Sequence, residues 1–112
     1  MCIFCDIVEG KIPSTKVYED EYVIAIRDLN PQAPVHDLVI PKKHFDNIVD
    51  LAKTDDGTYS AAVIDAIAEV AKVEGIEEGF RVINNCGADA GQTVMHVHFH
   101  VVGGRRFEEK II

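Results

Sequence analysis

The chain has no apolar run near the roughly 18 residues that a membrane-spanning helix requires. Asp6 and Glu9 stand where a secretory leader would have basic residues followed by an apolar stretch, so a cytoplasmic setting is expected and a membrane partner is not. Basic residues are also scarce: 11 Lys and Arg face 19 Asp and Glu, for a net charge of −8. A sequence-independent grip on nucleic acid needs many cations on phosphates, so no nucleic-acid partner is expected and any phosphate must be bound locally. There are three cysteines, Cys2, Cys5 and Cys86, an odd number that argues against a disulfide framework. No repeat, low-complexity segment or long linker interrupts the 112 residues, which read as one domain, 1–112.

What is present is an ordinary globular mixture, 47% hydrophobic and 27% charged. Residues 3–9 place Ile3, Phe4, Ile7 and Val8 at helical spacing and stop at Gly10, which predicts a short helix. Segments 22–28 and 37–40 are β-branched and bounded by proline-containing turns, and Pro41 is expected to end the second. Over 58–74 the apolar residues Val63, Ile64, Ile67, Ala68, Val70 and Ala71 follow a 3.6-residue period, the mark of one long helix laid on a sheet. Segments 80–84 and 97–102 read as further strands, giving an α+β fold with a mostly antiparallel sheet. So few strands leave an edge to be covered, and a symmetric dimer with a continuous sheet would cover it.

The chemistry concentrates in Met95-His96-Val97-His98-Phe99-His100-Val101-Val102. On a strand, side chains alternate, so three imidazoles line one face above an apolar underside of Val97, Phe99 and Val101. Neighbours in that row are about 6.6 Å apart, close enough to act on one ligand. A polar strand face, or a three-histidine catalytic zinc site, would use the same residues; the latter normally has a carboxylate base nearby, and this strand has none. The loop before it, 84–94, carries Gly87 and Gly91 with Gln92 and Thr93, donors and close-approach glycines suited to an anion, though also suited to an ordinary connection. Cys2 and Cys5 have the C-x-x-C spacing of a zinc half-site that needs two further ligands.

The run His96-Val97-His98-Phe99-His100-Val101-Val102 resembles the signature of the histidine triad superfamily, and the whole chain most resembles its Hint branch. Gly91-Gln92-Thr93-Val94, Gly103-Gly104-Arg105, Asn30-Pro31-Gln32-Ala33-Pro34-Val35-His36 and Val39-Ile40-Pro41-Lys42-Lys43-His44 extend the match over nearly the full length. The resemblance implies a homodimer with a five-stranded antiparallel sheet per subunit. It also implies hydrolysis of purine nucleoside phosphoramidates, adenosine monophosphate joined to an amine, through a nucleotidyl-histidine intermediate on His98.

By the same resemblance His36 and His100 flank the phosphate, while Asn85, Gly91, Gln92 and Thr93 hold its oxygens. Ile3, Phe4, Ile7, Ile26 and Leu29 form an apolar slot for the purine nucleoside, and Asp28 takes the ribose hydroxyls. Core packing for Ile7 and Ile26, and turn initiation for Asp28, are competing assignments. The resemblance further supplies the missing metal ligands: Cys2, Cys5, His44 and His96 would form a closed, structural zinc site. Thr93 stands where many relatives have serine and keeps the hydroxyl. The tail 107–112 matches no pattern, although in Hint relatives this region nears the partner's active site. A diadenosine polyphosphate hydrolase of the Fhit type, and a non-catalytic purine nucleotide-binding module, are the alternative functions.

Overall fold

The computed structural model describes residues 2–112. Helix α1 (Ile3–Val8) leads into strands β1 (Lys16–Glu19), β2 (Val23–Arg27) and β3 (Val35–Pro41). Helices α2 (Ile48–Thr54) and α3 (Thr58–Val73) precede β4 (Phe80–Ile83) and β5 (Phe99–Gly103). The five strands form one antiparallel sheet in the order β1-β2-β3-β5-β4, so the α+β expectation holds.

The two faces have different tasks. Val23 and Ala25 of β2, Val39 of β3 and Val97, Phe99 and Val101 pack with Val63, Ala66, Ile67 and Val70 of α3 in the main core. Of the apolar stripe read in the sequence, Val63, Ile67, Val70 and Ala71 are buried against the sheet, whereas Ile64 and Ala68 lie exposed at its flank and Ala66 takes a core position. On the opposite face Phe4 and Ile7 of α1 pack with Ile24, Ile26, Leu38 and Ile40 in a smaller cluster. His36 and His100 share that second face, because Leu38 pairs with His100 across β3 and β5.

Some boundaries differ from the sequence reading. The last strand starts at Phe99 rather than 97, so His96 and His98 precede the ladder in a bent and extended segment; the alternation nevertheless persists, with Val97 still in the main core. Strand β1 and helix α2 carry weak sequence signals. The first is a four-residue, partly exposed strand with charged ends. The second is a seven-residue helix capped by Asn47, whose side chain accepts from the Asp50 amide at 2.9 Å. Pro41 closes β3 as its last residue. Among the described residues no helix is long and apolar enough to cross a membrane.

Candidate functional site

Two adjacent side-chain clusters occupy the α1 face. The first joins the start of α1, the turn after β3 and the approach to β5. Cys2 Sγ lies 3.6 Å from His44 Nδ1 and 3.3 Å from His96 Nδ1; Cys5 Sγ lies 3.3 and 3.5 Å from the same two atoms. With Zn–S near 2.3 Å and Zn–N near 2.0–2.1 Å, a tetrahedral ion requires S···N edges of about 3.6 Å, so the separations fit. Both rings present the correct nitrogen. His96 Nε2 donates to the Pro41 carbonyl at 2.8 Å and His44 Nε2 to Asp46 Oδ1 at 2.7 Å, leaving the Nδ1 lone pairs for the cluster.

The electrostatics of the pair of thiols point the same way. Burial and the adjacent Cys2 sulfur push the Cys5 thiol up to about 11, whereas Cys2, against its own burial, is lowered by hydrogen bonds to Cys5 and His44. Two neighbouring thiolates cannot both be charged at neutral pH without a cation between them, and a dication removes that conflict. The four residues therefore form a group that could hold a metal of the zinc type.

The second cluster contains the remaining histidines. His98 Nδ1 donates to the backbone carbonyl of His96 at 2.8 Å, so its Nε2 carries the lone pair. The Gln32 amide donates to His36 Nδ1 at 3.0 Å, which places the His36 proton on Nε2. That N–H then donates to His100 Nδ1 at 2.9 Å and faces Asp28 Oδ2 at 3.3 Å. His100 must in turn hold its proton on Nε2, a buried atom with no hydrogen-bond partner among the described residues. Burial, reinforced by His98 and His36, keeps the His100 imidazole below its ordinary value and thus neutral. The site offers one nucleophilic lone pair and one unsatisfied N–H donor, on rings whose centroids are 5.2 Å apart.

The expected binding residues are dispersed around this pair. Phe4 packs edge-on against His98, with centroids 4.9 Å apart, and Ile7 and Ile26 belong to the same buried cluster, the core packing that competed with the slot assignment. Ile3 is half exposed and Leu29 fully exposed, outside that cluster. Asp28 Oδ1 accepts from the Asn30 amide at 2.8 Å, starting the turn, while Oδ2 faces His36 Nε2 at 3.3 Å. Asn85 lines a cavity of about 370 Å³ with His36 and His100. Gly91 adopts φ 87 to close the 3-10 turn Ala88–Ala90, and Thr93 is exposed. The Gln92 side chain accepts from the Gly87 amide and donates to the Asp46 and Val94 carbonyls, so it braces the loop from within.

Sequence reasoning missed several partners. The His44–Asp46 pair, the Asn84 amide on the His98 carbonyl at 2.9 Å, and the docking of the tail carry no motif. In that tail, the Arg81 guanidinium donates to the Glu108 and Lys110 carbonyls, and Phe107 lies between Arg81 and Arg105. The tail thus forms one wall of the cavity beside His100, with Ile111 and Ile112 at its rim.

Comparison with known proteins adds to this geometry. Residues 9–107 match the model of the HIT domain. A maize protein described as a 14 kDa zinc-binding protein is 46% identical over 106 residues, covering 93% of this chain and 82% of that protein. Among solved structures, a HIT family hydrolase from Clostridium thermocellum superposes with a TM-score of 0.93 at 46% identity, covering 99% of this chain and 96% of that one. A histidine triad protein from Clostridium difficile gives 0.89 at 48% identity, covering 97% and 95%.

Proposed function

The chain belongs to the HIT domain family, and we propose that it is a hydrolase of purine nucleoside phosphoramidates acting through a covalent nucleotidyl-histidine. The observation that carries this reading is the opposed tautomers of the two rings. His98 is held with its Nε2 lone pair free, while His100 presents a buried N–H with no acceptor among the described residues. In the first step His98 Nε2 attacks the α-phosphorus, the P–N bond breaks and the amine departs with a proton taken from solvent. In the second, water attacks the same phosphorus and gives up a proton to solvent, the bond to His98 breaks with its electron pair returning to Nε2, and nucleoside monophosphate is released. The His100 N–H and the loop amides meet phosphoryl oxygens where charge develops. The apolar surface of Phe4 and Ile26 is the purine side, and Asp28 the ribose side.

The test compares an adenosine phosphoramidate with a diadenosine polyphosphate. Faster release of adenosine monophosphate from the phosphoramidate supports this reading; the reverse order selects the Fhit type. A saturable melting shift with adenosine monophosphate, without turnover of either, selects the binding module.

Zinc in the Cys2/Cys5/His44/His96 cluster belongs to the same reading, supported by the fit of the donor set and by the maize relative's description. With four protein ligands it would serve as a cross-link between chain segments and leave no open position for substrate. Reduced thiols in such a site suit the cytoplasm. Elemental analysis of protein purified without chelator is expected to find one zinc per chain, and its absence overturns the assignment. The homodimer is proposed through β4, an edge strand where Val82 and Ile83 are more than two-fifths exposed; light scattering at twice the 12.4 kDa chain mass tests it.

A further inference from the structure

His96 does more than complete the cysteine–histidine cluster. Its ring is fully buried, with Nδ1 among the cysteine sulfurs and Nε2 on the Pro41 carbonyl, and its own backbone carbonyl is the acceptor that sets the His98 tautomer. This peptide lies before the β5 ladder, which starts at Phe99. Its nearest backbone anchor is the Val97 amide on the Phe45 carbonyl at 2.7 Å, and the Asn84 side chain holds the His98 carbonyl. The His96 carbonyl and the Val97 amide belong to one planar peptide, so the carbonyl's direction is set by two holds that both lead to the cluster: the Val97 bond to the carbonyl of Phe45, the neighbour of His44, and the anchoring of the His96 side chain.

A second link runs through α1. Phe4 sits between Cys2 and Cys5, and its ring meets both His98, at 4.9 Å and 78°, and His96, at 6.0 Å and 77°. A six-residue helix is too short to persist by itself, so its place on the sheet depends on its ends and its contacts. Its N-terminal end is the cysteine pair; Phe4 and Ile7 are its buried anchors.

We infer that His96 and Phe4 are positioning residues for the nucleophile, and that their hold on the His98 ring is set by metal occupancy of the cluster. The inference rests on the proposed role of His98. It gives the cluster a bearing on turnover although no cluster atom touches the reacting phosphorus. When the cluster loosens, the carbonyl and the Phe4 ring release His98 together; a ring that can carry its proton on Nε2 has no lone pair to offer there. Removing such outer support of a site typically costs about 10–100-fold in activity.

The experiment compares zinc-loaded protein, the same protein after chelation, and the chelated protein with zinc restored, all at one pH. Nitrogen-detected imidazole spectra should show a single Nδ1–H tautomer for His98 in the loaded form and a mixture after chelation, reversed by zinc. The kcat should fall about 10–100-fold, with a smaller change in adenosine monophosphate affinity. The main core contains none of the four ligands, so amide signals of Val63, Val70 and Val101 should stay in place and separate this effect from unfolding. Phe4→Leu, which keeps the ligands, should retain zinc yet mix the His98 tautomers. Chelated protein with an unchanged tautomer and unchanged kcat overturns the inference. A loaded protein that turns over nothing overturns the proposed hydrolase reading, while the tautomer spectra still decide the positioning.

Discussion

Replacing His98 by alanine is expected to lower kcat/KM on an adenosine phosphoramidate by at least about 10⁴-fold, the scale seen when a covalent nucleophile is removed. The reason is geometric. His98 has its Nδ1 committed to the His96 carbonyl and its other nitrogen free, and His100 and His36 cannot replace it. His36 Nδ1 is taken by the Gln32 amide and His100 Nδ1 by the His36 N–H. Neither has an uncommitted lone pair. His100→Ala removes only a donor and is expected to cost about 10²–10³-fold in kcat, leaving an attacking nitrogen in place. Rapid quenching of the wild-type reaction should trap a nucleotidyl-protein by mass, absent from His98→Ala. Residual turnover within tenfold of wild type would transfer the nucleophile elsewhere and sink the two-step scheme.

The alternation of His96, His98 and His100 was legible because it survives the late start of β5: Val97 and Phe99 must enter the main core whether or not the ladder has begun. The period of α3 was legible for the same reason, since one face of a helix has to be apolar to lie on a sheet. The acceptor for His98 Nδ1 is the His96 carbonyl, and no local pattern announces a carbonyl two residues away. Gln92 reads as a phosphate donor from its neighbours, and only its contacts with Gly87, Asp46 and Val94 show a loop brace. Short elements such as β1 are stabilised by pairing with β2, an interaction between segments that a single-segment pattern does not contain.

The least legible residue is Asp37, and it carries the second large prediction. It occupies the middle strand with no exposed surface, and among the described residues neither carboxylate oxygen has a hydrogen-bond donor. Burial and the Glu74 carboxylate at the C-terminal end of α3 push it up to about 7, against the pull of Arg27, which pairs with Glu74 at 3.3 Å. Between the ordinary value of 3.8 and about 7, the folded chain keeps a proton that the unfolded chain has released. The folded state binds more protons throughout that window, so this residue makes stability fall as pH rises through it, by about 1.4 kcal/mol per unit. Above about 7 both states are ionised and the slope ends. Asp20 and Asp55 act in the opposite sense: backbone amides and neighbouring hydroxyls outweigh their burial and hold them below the ordinary value, so their stabilisation is lost at lower pH. Asp37→Asn keeps the shape without the titrating proton. Urea melts are expected to show wild type and variant within about 1 kcal/mol at pH 5 and the variant ahead by on the order of 3 kcal/mol at pH 8, with equal slopes against denaturant. Parallel pH profiles for the two proteins would mean that Asp37 is ionised in the fold and that Arg27 reaches it as well as Glu74.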